Sequence, residues 1–241
     1  MQWSDQGIVV ASRIFGESKV LVTLLTRDHG RSAGLFRLSK HNRAWVQVGS
    51  LVKATWGGRL ETQLGTWTLE PESTFTSRLL DRPGPLAALN SACALIHLLT
   101  PEGQECADVY ASLFTLTQNL LEEEWCASYI RFERDLLSYL GYGLDTSRCA
   151  VTERTDDLVA ISPRTGRAVC SEVAAPYGDK LLALPRFFLQ NCEITLKDLK
   201  EGLQLTGFFL ERHAMAPLKS GMPPARHRLL SLIQKPQEIA A

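Results

Sequence analysis

The stretch that decides the fold of the N-terminal part is KVLVTLLT, residues 19–26, a run of Val, Leu and Thr before the turn signal Asp28-His29-Gly30. Similar runs stand on either side: GIVVAS at residues 7–12, SLVKATW at 50–56 and GTWTLEPE at 65–72, with a second turn signal at Gly57-Gly58. β-Branched and aromatic residues in short runs between turn signals are typical of strands. The first eighty residues therefore predict five short strands that form a small barrel.

Two barrel topologies fit this pattern. The strand spacing is compatible with an OB-fold, a five-stranded Greek-key barrel whose exposed face and loops often bind oligonucleotides. An SH3-like barrel fits the strand count almost as well. The pattern predicts a barrel without deciding between the two.

The segment DRPGPLAALN, residues 81–90, marks the predicted domain boundary, because proline excludes helix before it and allows one after it. Three helical patterns follow, in LAALNSACALIHLLT (86–100), CADVYASLFTLTQNLL (106–121) and EWCASYIRFERDLLSYLGYG (124–143). We therefore predict an α+β protein with an OB-fold domain at residues 1–80 and a mainly helical domain at residues 81–241.

A small β-hairpin interrupts the predicted helices. The sequence LVAISPRTGRAV, residues 158–169, has two apolar runs around a Pro/Gly turn, which predicts a hairpin insert at about residues 145–175. After it, Thr195 and Asp198 have the spacing of an acidic capping box at the start of a further helix. The proline-interrupted tail from Lys219 predicts little regular structure.

The usual signatures of an enzyme are absent from the sequence. It has no Walker-type lysine loop, no G-x-G-x-x-G, no G-x-S-x-G and no H-E-x-x-H. His97 lies in an apolar helical pattern and is interpreted as a core residue rather than a base. Glu153, Asp156 and Asp157 would be the ligands of a metal-dependent nuclease, but a solvated loop is the preferred interpretation. We predict no catalytic residues, no cofactor and no enzymatic activity.

Positive charge is concentrated in the N-terminal part. Residues 1–80 hold ten Lys/Arg against six Asp/Glu, a net charge of +4, and residues 81–241 carry −4. Residues 29–60 contain six Lys/Arg without one Asp or Glu. Such a cluster indicates a polyanionic partner, and flat side chains among cations are typical of single-stranded nucleic-acid sites. The candidate phosphate contacts are Arg31, Arg37, Lys40, Arg43 and Arg59, and the candidate stacking residues are Phe36 and Trp45.

Longer segments, taken in order, resemble the RecO family of bacterial DNA repair proteins. They are GIVVASRIFGESKVLVTLLTRDHGR, WGGRLETQLG, YIRFERDLLSYLGYGLD, CAVTERTDDLVAISPRTGRAVC and GDKLLALPRF. The resemblance implies an OB-fold, a central helical domain and a small module that binds zinc in some members. It also implies binding to single- and double-stranded DNA, strand annealing, and loading of RecA together with RecR in the RecFOR pathway.

The module departs from the zinc-bearing members of that family. Those members have two C-x-x-C pairs, whereas here Cys149 is followed three residues later by Thr152, and Cys170 by Val173. A closed tetrahedral zinc site takes four N or S ligands, and only two thiols remain. All six cysteines are more than ten residues apart in sequence, so we predict no bound metal.

The resemblance further implies that the helical domain holds the acidic C-terminal tail of single-strand-binding protein. Arg131 matches the family pattern for this site, and Arg134 is close to it in sequence. The alternative is a charged helix surface in which both arginines pair with Glu133 and Asp135.

No apolar run reaches the length of a membrane span and the N-terminus lacks a signal pattern, so we expect a cytoplasmic, nucleoid-associated protein without membrane contact. A metal-dependent nuclease and a protein-interaction scaffold that does not bind DNA are the competing hypotheses.

Overall fold

The strands of the N-terminal part form a closed barrel in the computed structural model, which describes residues 1–59, 64–219 and 221–233. The strands are β1 (Gln2–Phe15), β2 (Lys19–Thr26), β3 (Gly30–Arg37), β4 (Ser50–Gly57) and β5 (Gly65–Thr74). Their order around the barrel is β1-β2-β3-β5-β4, with β3 and β5 parallel and the other pairs antiparallel. This Greek-key arrangement is an OB-fold, which confirms the fold class and decides against the SH3-like alternative.

Two tryptophans fill the interior of the barrel. The indole of Trp56 donates a hydrogen bond to the carbonyl oxygen of Ala33 at 3.1 Å, and that of Trp67 donates to Val22 at 3.1 Å. Gly34 makes room for the second ring, since a Cβ atom there would lie 2.7 Å from Nε1 of Trp67. Both polar indole groups are therefore satisfied within an apolar core.

The helices are α1 (Phe75–Arg78), α2 (Pro83–Leu99), α3 (Ala107–Asn119), α4 (Trp125–Tyr139), α5 (Ser171–Ala174), α6 (Leu196–Phe209) and α7 (Pro224–Ile233). Thr195 and Asp198 form the predicted capping box of α6, because the threonine hydroxyl accepts from the backbone amide of Asp198 and the carboxylate accepts from that of Thr195. The tail prediction was wrong for residues 224–233. Pro224 opens α7, and Leu229 and Ile233, one turn apart, are buried.

The chain divides into two compact units. The first contains residues 1–123 and residue 223 onward, and there α7 packs against α2. The second contains residues 124–222, with α4 against α6 and a three-stranded sheet of order β7-β6-β8. These strands are β6 (Leu158–Ile161), β7 (Ala168–Cys170) and β8 (Leu182–Ala183), so the predicted hairpin has a third strand. The assignment of an OB-fold DNA-binding domain to residues 1–80 and a helical domain to residues 81–241 stays a prediction.

Candidate nucleic-acid interface

One end of the β1-β2-β3 surface brings positive charges side by side. Strand pairing places Phe15 opposite Lys19, and Lys19 opposite Arg37. Arg13 lies two residues before Phe15, so it shares the outer face, because side chains alternate along a strand. All four side chains are exposed, with Phe15 at 46%. We call Arg13, Phe15, Lys19 and Arg37 the cross-strand row.

The loop after β3 adds two cations next to this row. Lys40 and Arg43 are both exposed. The side chain of Asn42 fixes the loop, since its Oδ1 accepts from the backbone amide of Ser39 at 2.7 Å and its Nδ2 donates to the carbonyl oxygen of Arg37 at 3.0 Å. The loop therefore has a defined conformation beside the end of β3.

The cations of the row and loop have no carboxylate partner among the described residues. Within the ranges that the structure describes, no ion pair involves any of the five: Arg13, Lys19, Arg37, Lys40 and Arg43. Exposed, unpaired guanidinium and ammonium groups are suited to phosphate oxygens. The exposed ring of Phe15 lies among them, where a base would stack. The arrangement can bind a nucleic-acid backbone without a catalytic group.

The second unit carries a different cationic site on α4. The guanidinium carbon of Arg131 lies 5.2 Å from the ring centroid of Phe187, and that of Arg134 lies 5.2 Å from the ring of Phe188. Nη2 of Arg134 is also 2.8 Å from Oδ1 of Asp135. Arg131 has no ion pair among the described residues. Arg131 is therefore the arginine whose donors are open to an incoming carboxylate.

A buried carboxylate fixes the helix that presents Arg131. Glu133 is fully buried and accepts hydrogen bonds from the hydroxyls of Tyr129 and Thr206, each at 2.5 Å. Thr206 belongs to α6, so this contact holds α4 and α6 in register. Glu133 therefore points into the core rather than toward the helix surface.

The small sheet module brings two cysteines together. The backbone amide of Cys170 donates to Sγ of Cys149 at 3.4 Å, and Oγ1 of Thr152 lies 3.5 Å from Sγ of Cys170. Burial acts to raise the pKa of the Cys149 thiol, but hydrogen bonds, with those from Thr152 foremost, outweigh it and lower the pKa from 9.0 to about 6. Two thiols beside a threonine and Val173 do not fit a closed zinc site. The described part of the chain holds no group of three metal-ligating side chains.

The candidate nuclease carboxylates lie in an exposed loop and are engaged with neighbours. Glu153 pairs with Arg148 at 2.9 Å, and Asp156 pairs with Arg154 at 3.0 Å. The hydroxyl of Ser171 donates to Asp157. These interactions are those of a solvated surface loop.

Comparisons with known proteins identify the family. A family model described as "Recombination protein O N terminal" matches residues 1–75, and one described as "Recombination protein O C terminal" matches residues 83–222. Among relatives, "DNA repair protein RecO" of Rhodospirillum rubrum is 42% identical, with 98% of this chain and 97% of the relative covered. The proteins of that name from Hyphomonas neptunium and Caulobacter vibrioides are 41% and 39% identical, covering 98% and 99% of this chain and all of each relative.

The chain belongs to the RecO family. The two family models together span the barrel and the second unit, so the relationship covers both parts of the chain. It is accordingly a DNA repair protein of this family. Among its described residues, no helix is both long and apolar enough to cross a membrane.

In this RecO-family barrel, the two aromatic residues proposed from sequence face the interior. Phe36 is 6% exposed and belongs to the core, because it alternates with the outward-facing Arg37. Trp45 is half-buried against the same core, with its ring centroid 6.4 Å from that of Phe36. Phe36 offers no open ring face for stacking, so it is not carried into the proposal below.

Two of the predicted phosphate contacts lie away from the row. Nε of Arg31 donates to the carbonyl oxygen of Thr100 at 2.8 Å, so this half-buried side chain anchors β3 to the segment after α2. Arg59 is exposed and follows β4, whose end pairs with Gln2 at the start of β1. Arg13 lies near the opposite end of that strand. Arg31 and Arg59 are therefore close to Arg37 in sequence but do not belong to the cross-strand row in the structure.

The sequence interpretation missed Arg13, Phe15 and Lys19. They flank the short turn at residues 16–18, whose Gly16 has a φ of 73°. A glycine in a three-residue connection between apolar runs is a hairpin signal, and it would have placed Phe15 opposite Lys19.

His97 was interpreted as a core residue, which was wrong, since it is exposed at the end of α2.

Proposed function

We propose that the protein is a recombination mediator. It binds single- and double-stranded DNA through the cross-strand row and the Lys40–Arg43 loop, and it anneals complementary strands. With RecR it helps load RecA onto DNA coated by single-strand-binding protein. The observation that carries the proposal is the set of five exposed cations on one part of the barrel without a carboxylate partner among the described residues.

The proposed binding is electrostatic and independent of base sequence. Exposed cations that contact phosphates release condensed counterions and position the backbone without reading base edges. Neutralising phosphates on two strands lowers their mutual repulsion, which favours annealing. Phe15 would stack on a base of a single strand. No nucleotide hydrolysis is needed for any of these steps.

A second part of the proposal concerns the acidic tail of single-strand-binding protein. Arg131 is supported as its receptor because its guanidinium group is stacked on Phe187 and has no ion pair among the described residues. A tail that ends in acidic residues, an aromatic ring and a free carboxylate suits a fork-like donor next to aromatic rings. The RecR partnership rests on the family alone, and we assign it no surface.

The test is fluorescence anisotropy of a labelled single-stranded oligonucleotide across a salt series. Substituting Arg37, Lys40 and Arg43 by Ala should flatten the log–log salt slope by roughly two, at about 0.7 for each phosphate that is no longer neutralised. An unchanged slope would contradict the proposed surface. The same oligonucleotide with Mg²⁺ or Mn²⁺ should remain intact, because cleavage is the outcome of the nuclease hypothesis. A chain with no affinity for the oligonucleotide would support the scaffold hypothesis instead.

A further inference from the structure

A groove with a cavity of about 700 Å³ lies between β1, α2 and α7 in the first unit. Its floor is one face of α2, formed by Pro83, Ala87, Asn90, Ala94 and His97. These residues recur every three to four positions, the spacing of a single helix face. At 1.5 Å per residue the stripe is about 21 Å long. We call this cavity the α2 groove.

The walls of the groove are apolar. Val10 of β1, Val48 before β4, and Leu86 of α2 line it, together with Ala225 of α7. Leu80 stands at its edge with 66% of its surface exposed. The small side chains on the floor allow the backbone of a partner to come close. No Phe, Tyr or Trp is among the described residues that line the groove, so it lacks the rings on which bases stack.

The charge around the groove is positive. Arg228 of α7 lines it and is exposed, and no carboxylate side chain is among its described lining residues. Partial burial and then the charge of Arg31, with a smaller effect of Arg13, lower the pKa of His97 against the opposing effect of Glu102. Arg31 therefore acts more strongly on His97 than Glu102 does, and Arg228 adds a cation on the α7 side.

We propose that the α2 groove is the docking site for an acidic amphipathic helix of a partner protein. The stripe on α2 matches about four turns of a helix, the apolar walls match its apolar face, and the surrounding cations match flanking carboxylates. Charge complementarity selects an acidic over a basic helix. The absence of Phe, Tyr and Trp from the described lining residues favours a protein segment over single-stranded DNA as the ligand. The groove lining includes neither a residue of the cross-strand row nor Arg131, although Arg13 of the row is close enough to affect the pKa of His97.

A second cavity in the same unit serves as an internal contrast. It has about 720 Å³, is lined by Asp28, Glu102 and Glu105, and has no Lys or Arg among its described lining residues. An acidic helix would be repelled there. Because the charged side chains that line the two cavities have opposite signs, the proposal applies to the α2 groove and not to the second cavity.

The experiment uses two fluorescein-labelled designed peptides of about 14 residues. Both carry the same Leu and Ala residues on one helix face, and one has Glu and the other Lys at the flanking positions. The Glu peptide should show saturable binding of one peptide per chain, and the Lys peptide should bind at least about tenfold more weakly. Equal binding of the two peptides, or no saturable binding at about 100 μM, would overturn the proposal.

Substitutions then locate the bound peptide. Arg228→Glu and, separately, Ala94→Glu should weaken the Glu peptide at least about tenfold, whereas the exposed control Arg164→Glu should leave it unchanged. Thermal melting followed by circular dichroism verifies that each variant is folded. Arg131→Ala should likewise leave the affinity for the Glu peptide unchanged. Loss with Arg131→Ala but not with Arg228→Glu would place the peptide on α4 and refute the α2 groove as its site.

Discussion

The cross-strand row of the barrel and the arginines of α4 hold positive charge in two different ways. In the row, Lys19 and Arg37 are exposed and have no carboxylate partner among the described residues. On α4, Arg131 lies half-buried on the ring of Phe187. Exposed cations act together on a polyanion and are screened by salt, whereas one oriented guanidinium group recognises a single carboxylate. This difference is our reason for proposing the row as the DNA surface and Arg131 as the peptide site.

The largest expected effect is charge reversal in the row. Lys19→Glu with Arg37→Glu removes two phosphate-binding cations and adds repulsion, so affinity for a single-stranded oligonucleotide at 0.1 M salt should fall roughly 100-fold. The measurement is fluorescence anisotropy. The matched control, Arg164→Glu with Lys200→Glu, changes the net charge equally on exposed positions of the second unit and should cost less than about threefold. Equal losses in the two variants would show that only total charge matters.

A smaller loss of affinity, here for a peptide, is expected when Arg131 of α4 is replaced. Arg131→Ala should weaken a labelled peptide with an acidic, aromatic, free-carboxylate C-terminus by about tenfold or more, because a charge-assisted hydrogen bond contributes about 1.5–3 kcal/mol. Isothermal titration calorimetry measures the loss. Arg134→Ala is the control, since Arg134 is already paired with Asp135. If the two variants lose affinity equally, the distinction between the arginines is wrong.

The ring of Phe187, on which Arg131 stacks, should contribute less to peptide affinity than Arg131 itself. Phe187→Leu removes a cation–π interaction of about 0.5–1 kcal/mol, so peptide affinity should fall about two- to fivefold. Oligonucleotide affinity should not change. Phe188→Leu, under the paired Arg134, is the matched substitution and should leave peptide affinity within error. A drop in oligonucleotide affinity with Phe187→Leu would break the separation of the two sites.

The smallest effect concerns the order of the barrel loop. Asn42→Ala removes the hydrogen bonds to Ser39 and Arg37 without changing charge. Oligonucleotide affinity should fall only about twofold, the cost of ordering a loosened loop, and the salt slope should stay the same. A changed slope would mean that Asn42 affects how many phosphates are bound.

Composition and periodicity predicted most of the longer elements, but they missed helix α7 and strand β8. The run KVLVTLLT became β2, Pro83 opened α2, and Thr195 with Asp198 capped α6. Each of these signals is local, since a strand, a helix start or a cap depends on residues within a few positions of one another. The α+β class and a small barrel followed from them, whereas the choice of an OB-fold over an SH3-like barrel came from the resemblance to the RecO family.

Residue roles in the barrel depended on strand register, which is not local. The register of β1 against β2 shifts between Val9 and Ala11, and such a bulge changes which residues face outward. Phe36 and Arg37 are neighbours in sequence, yet one lies in the core and the other in the row. Arg31 and Arg59 belonged to the sequence cluster but lie elsewhere on the barrel. The sequence cluster therefore overlaps the cross-strand row and its neighbouring loop only at Arg37, Lys40 and Arg43.

The most direct test compares two double variants that remove the same charge. Arg13→Ala with Lys19→Ala takes two cations from the row, and Arg31→Ala with Arg59→Ala takes two from the sequence cluster. The measured quantity is the log–log salt slope of single-stranded oligonucleotide binding, which does not depend on the fraction of active protein. We predict that the slope flattens by about 1.4 for the first pair and stays nearly unchanged for the second. The reverse result would contradict the assignment of the DNA surface to the cross-strand row.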